Sequence, residues 1–248
     1  MTGNQVSVEN LDLDAFYESY KGETRVGPPA PWDIGGPQPV LIALEESGEI
    51  KGDVLDIGCG LGGNSIFLAS RGHKVTGIDA AKTAVQEASK RAKAQGIEVD
   101  FTVADATSLE GFEGRFDTVV DSALYHCLNE QGQRDYIAAL HRATKPGAKL
   151  HLWVFAAEAH APFPTVQRVT EENLRRNVGE KFEITSLQLA EYDTTLTHEG
   201  IREMLGVKPA EGAPDAPVAF DPAFKWPEEE LEGEIKAPVW QLTAVRAG

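Results

Sequence analysis

Three aspartates stand at or near the ends of three apolar runs, and their types and spacing could do chemistry. Asp56 lies in Val54-Leu55-Asp56-Ile57, Asp79 follows Val75-Thr76-Gly77-Ile78, and Asp105 follows Phe101-Thr102-Val103-Ala104. The first run opens into Gly58-Cys59-Gly60-Leu61-Gly62-Gly63. Glycines between a strand and a helix let the chain turn tightly and let a ligand approach the backbone with no Cβ in the way. Gly58, Gly60 and Gly63 also satisfy G-x-G-x-x-G, which alone is a weak sign of a dinucleotide site. Asp56 weighs against a dinucleotide. A pyrophosphate would sit on the helix N-terminus beside that carboxylate and be repelled, whereas a ligand carrying an ammonium and a sulfonium would be attracted. Asp79, about 20 residues beyond the loop, has the spacing used to accept ribose hydroxyls, a task common to both ligand classes. Asp105 is placed to accept from an adenine amino group. Three acids at successive strand ends would line one crevice, where open α/β sheets bind their ligands.

The elements that must position these residues can be read from periodicity. Strands are predicted at Val54–Ile57, Lys74–Ile78, Ile97–Val103, Phe116–Val120 and Leu150–Phe155. Helices are predicted at Gln38–Ser47, Asn64–Ser70, Ala81–Gln95 and Glu130–Thr144, the last stopped by Lys145-Pro146-Gly147. Strand and helix in alternation imply parallel crossovers and a sheet covered on both faces. The last third is less regular: a helix at Thr170–Val178, a strand at Glu183–Tyr192, a short helix at His198–Leu205 and a final strand at Val239–Val245. Residues 207–227 are rich in Pro, Ala and Gly and read as one long loop. A polar and aromatic leader, 1–36, carries Phe16, Tyr17 and Tyr20 and a stiff Gly27-Pro28-Pro29-Ala30-Pro31 turn. No second core is marked, so 1–248 reads as one domain.

These stretches, with Phe116–Leu128 and Lys145-Pro146-Gly147, resemble the class I S-adenosylmethionine-dependent methyltransferases over about Gln38–Phe155. The resemblance implies a Rossmann-like, doubly wound α/β fold with a seven-stranded sheet whose last strand is antiparallel, plus an N-terminal lid. It implies S-adenosyl-L-methionine as cofactor. Asp56, Gly58 and Gly60 would contact its methionine end, Asp79 and the adjoining Ala80 its ribose, and Asp105 and Ala106 its adenine. Ser122, after the fourth strand, would lie near the sulfonium. Ala30-Pro31-Trp32-Asp33-Ile34-Gly35-Gly36-Pro37-Gln38-Pro39 also resembles a segment of thiopurine, thiol and halide methyltransferases and of bacterial methyltransferases acting on heterocyclic toxins such as quinolones. In such relatives the leader folds over the cofactor, which would place Trp32 beside it; an aromatic face attracts a sulfonium.

Methyl transfer is an in-line displacement, so the protein mainly aligns the two reactants, with a base needed only where the acceptor must lose a proton. The loop after the fourth strand faces the methyl group in this superfamily. That makes His126, whose ordinary pKa is near neutral, the first catalytic candidate and Tyr125 the second. Asp121 has no second ligand set, so no metal is expected, and Cys59 reads as a small packing residue. Trp153, Phe155, His160, Phe163, Tyr17 and Tyr20 are candidates for an apolar acceptor pocket. The expected reaction is methyl transfer to a small molecule, at N or O of an aromatic heterocycle or at a thiol. A nicotinamide-dependent oxidoreductase built on the same loop, and a non-catalytic cofactor-binding protein, stay open at this level.

Composition narrows the partners. The 248 residues carry a formal net charge of -16, and Lys and Arg are scattered. Nucleic acid is therefore an unexpected partner. Two cysteines make no disulfide framework, the N-terminus lacks a signal-like apolar stretch, and no run reaches membrane-span length. The expectation is a cytoplasmic monomer or homodimer with a small-molecule substrate.

Overall fold

A computed structural model describes residues 32–158, 168–197 and 234–248. Seven strands form one sheet: β1 (Asp53–Ile57), β2 (Lys74–Asp79), β3 (Asp100–Val103), β4 (Phe116–Ser122), β5 (Thr144–Phe155), β6 (Phe182–Thr197) and β7 (Glu234–Arg246). Their spatial order is β3-β2-β1-β4-β5-β7-β6. β1 to β5 pair in parallel, while β7 runs antiparallel to β5 and β6. The expected seven-stranded sheet with an antiparallel last strand is therefore the observed one. Helices α1 (Pro39–Glu46), α2 (Gly63–Ser70), α3 (Lys82–Ala94), α4 (Glu130–Ala143) and α5 (Glu171–Asn177) accompany it. The chain order reverses between β1 and β4, and that switch point is where such sheets open a crevice at their carboxyl ends.

Strand alternation sorts the core into two layers. Leu55, Ile57, Val119, Leu150 and Leu152 face α4 and α5, with Tyr136, Ile137 and Leu140. Val54, Val120, Trp153 and Val239 face the other way, with Leu41 of α1, Leu68 of α2 and Tyr192 of β6. Leu41 has no exposed surface. Burying a leucine completely contributes roughly 1.5–3 kcal/mol, so this residue anchors α1 to the sheet.

Several boundaries differ from the sequence reading; β5 starts at Thr144, not Leu150, and β7 spans Glu234–Arg246, not Val239–Val245. β3 starts at Asp100, not Ile97, because the Ile97 N–H returns to the Ala92 carbonyl at 3.0 Å and closes the C-terminus of α3 instead of entering the sheet. α4 ends one residue earlier, at Ala143, where Thr144 already pairs with Phe116 of β4. β6 extends to Thr197, its second half paired with Pro238, Ala237 and Lys236 of β7. Phe16, Tyr17, Tyr20, His160, Phe163, the helix expected at 198–205 and the loop expected at 207–227 lie outside the described residues.

Candidate cofactor and acceptor site

At the carboxyl end of β1 the glycine loop is shaped by close approaches. Gly58 has φ of +71°, and a Cβ there would lie 2.8 Å from Cβ of Leu124 in the loop after β4. A Cβ on Gly63 would lie 2.7 Å from the Gly36 carbonyl oxygen of the leader. Side chains at these two positions would push apart the segments that must meet around a ligand. The leader is held down at several points. Trp32 is half-buried against the layer containing Leu41 and Tyr192. Asp33 pairs with Arg91 of α3 at 3.0 Å. The Gln38 amide bonds both backbone groups of Asp193 in β6, donating to its carbonyl and accepting from its N–H, each at 3.0 Å.

Asp79 accepts the Gly60 N–H at 2.9 Å on one oxygen and the Ala81 N–H at 2.8 Å on the other. It thus fixes the loop, and each oxygen keeps a further lone pair for a hydroxyl. Burial raises its pKa against the pull of those two bonds. The Ala104 N–H donates to the Asp79 carbonyl at 3.2 Å, so the ends of β2 and β3 are joined. This brings Asp105 alongside, with Ala80 and Ala106 partly exposed at the same edge. One oxygen of Asp105 accepts both the N–H and the hydroxyl of Thr107, at 2.8 and 2.7 Å. That turn aims the carboxylate and leaves its second oxygen available.

Asp56 has no exposed surface and lies beneath the loop. The Ser65 hydroxyl donates to one of its oxygens at 2.5 Å, and the other is buried without a partner. Burial, with a smaller contribution from the Asp79 charge, raises its pKa to about 6. A half-satisfied carboxylate under a cleft acts on a ligand through its field, and a bound cation would relieve it. The residues thus fit the ammonium, ribose and adenine of an adenosyl sulfonium. A pyrophosphate would face the same carboxylates.

The exit of β4 carries the remaining candidates. Asp121 is fully buried and accepts the Leu124 N–H at 2.8 Å, the Tyr125 N–H at 3.2 Å and the Tyr136 hydroxyl at 2.6 Å. Its pKa is raised to about 7 by burial. It cinches the loop, in which Ala123 adopts φ of +77°. A left-handed non-glycine residue costs about 1–2 kcal/mol, which these bonds offset. Ser122 meets the hydroxyl of Tyr192 at 2.8 Å. His126 is buried, stacks on Phe155 at 4.4 Å, and accepts the Phe155 N–H on Nδ1 at 3.4 Å. Desolvation lowers its pKa to about 4, so the ring is neutral.

Tyr125 does not join this group. Its hydroxyl donates to Asn173 Oδ1 at 2.9 Å and accepts from Asn177 at 3.0 Å, within the α4 and α5 layer. Trp153 is wholly buried and Phe155 partly so, both on the face of Tyr192. Sequence reasoning missed Ser65, Gln38 and Tyr192. Ser65 sits nine residues beyond Asp56, in the first turn of α2, a spacing that could have suggested it. No local signal marks Tyr192, which reaches Ser122 from 70 positions away.

Comparison with known proteins fits this geometry. Residues 54–147 match the family described as a methyltransferase domain. The chain is 39% identical over 186 residues to the 2-heptyl-1-hydroxyquinolin-4(1H)-one methyltransferase of Mycobacteroides abscessus, spanning 73% of this chain and 82% of the relative. It is 30% identical over 161 residues to a probable thiol methyltransferase 2 of Arabidopsis thaliana, spanning 63% of this chain and 70% of the relative. A solved structure described with the conversion of a disulfide bond into a thioacetal group during echinomycin biosynthesis superposes with a TM-score of 0.73 at 32% identity. That match covers 95% of this chain and 92% of the other.

Proposed function

Because the chain belongs to the class I S-adenosylmethionine-dependent methyltransferases and is an enzyme acting on a small molecule, we propose that its acceptor is N or O of an aromatic heterocycle, or a thiol. The observation that carries this is the face where β4 and β5 end. There the buried His126 ring stacks on the partly exposed Phe155, Ser122 bonds the buried Tyr192 hydroxyl, and the half-buried Trp32 packs against the layer that holds Tyr192. A flat acceptor with one polar atom matches such a surface. The M. abscessus relative is named for a hydroxyquinolone and the A. thaliana relative for a thiol, which supports both acceptor types.

When bound, S-adenosylmethionine supplies an activated methyl group on a sulfonium. In this reading Asp79 and Ala80 hold the ribose, Asp105 and Ala106 the adenine, and Gly58 and Gly60 the methionine end, with Asp56 beneath them. Ser122 and Trp32 flank the sulfonium. The chain aligns the acceptor in line with the methyl group and keeps water out, and such alignment accounts for several kcal/mol of barrier lowering. His126 is the acceptor-side catalytic residue. Tyr125 acts at one remove, by fixing the loop.

Among the described residues no three His, Cys, Asp or Glu side chains cluster to hold a metal, and no helix is long and apolar enough to cross a membrane. The test is turnover with S-adenosylmethionine on a panel of thiols, phenols and hydroxyquinolones, with S-adenosylhomocysteine as readout. Turnover on the hydroxyquinolones or thiols is expected. Cofactor binding without turnover on any acceptor would favour a non-catalytic binder, and saturation by NADH with none by S-adenosylmethionine would overturn the cofactor assignment.

A further inference from the structure

Gln38, at the root of the leader, joins three parts of the fold. It is the N-cap residue of α1 and only 2% exposed. Its backbone N–H donates to Asn64 Oδ1, in the first turn of α2 where the glycine loop ends, at 3.2 Å. Its side-chain amide donates to the Asp193 carbonyl and accepts the Asp193 N–H, each at 3.0 Å. Asp193 belongs to β6, an edge strand of the sheet, so the amide takes the place of one residue of a further strand. A carboxamide carries both the donor and the acceptor that this requires, whereas a carboxylate does not.

The residue before Asp193 is the buried Tyr192, whose hydroxyl meets Ser122 Oγ at 2.8 Å. Burial raises the Tyr192 pKa, and the side chains of Ser122 and Gln38 act against that rise. Ile57 of β1 pairs with Asp121 of β4, so Ser122 stands level with Gly58, the first glycine of the loop. Unlike Tyr192 and Gln38, Ser122 is partly exposed. A serine hydroxyl on its own turns among three staggered positions, and a bond at 2.8 Å selects among them. A connected run of contacts thus leads from the leader, through two buried side chains, to a hydroxyl at the crevice. The other leader anchor, Asp33 with Arg91, seats the leader on α3 instead.

Resting on the methyltransferase reading above, in which Ser122 flanks the sulfonium, we infer that Tyr192 and Gln38 are positioning residues. Tyr192 holds the Ser122 oxygen toward the cofactor's charged sulfur, and Gln38 ties that hold to the seating of the leader on the glycine loop. An oxygen dipole fixed in one orientation stabilises a sulfonium more than the neutral thioether left after transfer. The three residues therefore set how strongly the site prefers the methylated cofactor to its spent form.

Calorimetric titration of the full chain with S-adenosylmethionine and with S-adenosylhomocysteine gives the ratio of the two dissociation constants. Tyr192→Phe keeps the ring that fills its layer and removes only the hydroxyl. It should shift the ratio about three- to tenfold toward S-adenosylhomocysteine, the equivalent of one hydrogen bond. Ser122→Ala should do the same, and the double variant should shift it no further than either alone, because both break one contact. Where a thermal melt shows one of these variants unfolding early, the other carries the test. Gln38→Ala should move the ratio in the same direction, and Gln38→Glu, which cannot donate to the Asp193 carbonyl, should not restore it. Asp33→Asn, which loosens the leader at α3, should weaken both ligands alike and leave the ratio as it was. A ratio unchanged in Tyr192→Phe and Ser122→Ala would overturn the inference. So would shifts that multiply in the double variant, or an equal shift in Asp33→Asn. A parent protein that gives no heat with either ligand would overturn the cofactor reading itself, and the inference with it.

Discussion

Replacing Asp79 with alanine should weaken cofactor binding by two to three orders of magnitude while leaving a folded protein. In the intact protein each oxygen of Asp79 holds one backbone N–H, from Gly60 and from Ala81, and retains capacity for a ribose hydroxyl. Hydrogen bonds to a charged group contribute about 1.5–3 kcal/mol each, so two ribose contacts represent about 3–6 kcal/mol. Water entering the space left by the carboxylate would recover part of this. A net loss of about 3–4 kcal/mol then corresponds to about a 100- to 1000-fold rise in Kd. The two released N–H groups belong to the buried residues Gly60 and Ala81 and would add a stability penalty of about 1–3 kcal/mol each. Calorimetric titration with S-adenosylhomocysteine, beside a thermal melt, separates the two effects. Asp105→Ala is the contrast: one of its oxygens is committed to Thr107, and a loss of about tenfold is expected. A folded Asp79→Ala protein that binds within threefold of the parent would refute the assignment of the β2 carboxylate to the ribose.

Other outcomes follow from the same geometry. In the folded chain Asp56 and Asp121 titrate near 6 and near 7, above their ordinary value of 3.8. Between those values the folded chain holds protons that the unfolded chain has released. The stability these two groups contribute is complete below about pH 4 and is lost as pH rises through 6 and 7. Urea unfolding should show Asp56→Asn with a shallower loss of stability than the parent between pH 5 and pH 7.5; parallel curves would contradict the burial argument. Affinity for S-adenosylmethionine should run the other way, falling as pH drops from 7.5 to 5.5, because protonating Asp56 removes the field that favours a cation; isothermal titration at the two pH values measures it. Gly58→Ala puts a Cβ 2.8 Å from Leu124 at φ of +71° and should destabilise the fold by about 1–3 kcal/mol, with cofactor affinity reduced as well. A melting temperature equal to the parent's would show that the loop yields there.

Much of the candidate cofactor site could be named from sequence because its residues are local. The glycine run, Asp79 and Asp105 each sit at the end of an apolar strand, and period-two burial in a parallel sheet brings successive strand ends to one edge. The composition of Val54–Gly63 therefore specifies both a conformation and a place. The acceptor half was less legible. His126 could be named from the loop after β4, but its tautomer depends on the Phe155 N–H, which lies 29 positions away. Tyr125 ranked second to its neighbour from sequence, and only the packing of α4 against α5 turns its hydroxyl toward Asn173 and Asn177.

The sequence by itself determined the sheet's crossovers, its glycine turn and the sign of charge around the cofactor, since these follow from periodicity, Cβ sterics and carboxylates at strand ends. Only the tertiary structure decided that Asp56 is buried beneath the loop with Ser65 and that Tyr192 of β6 meets Ser122 of β4. Those facts depend on which distant backbone and side-chain groups are left to pair once the layers have packed, and no local pattern in the chain records that.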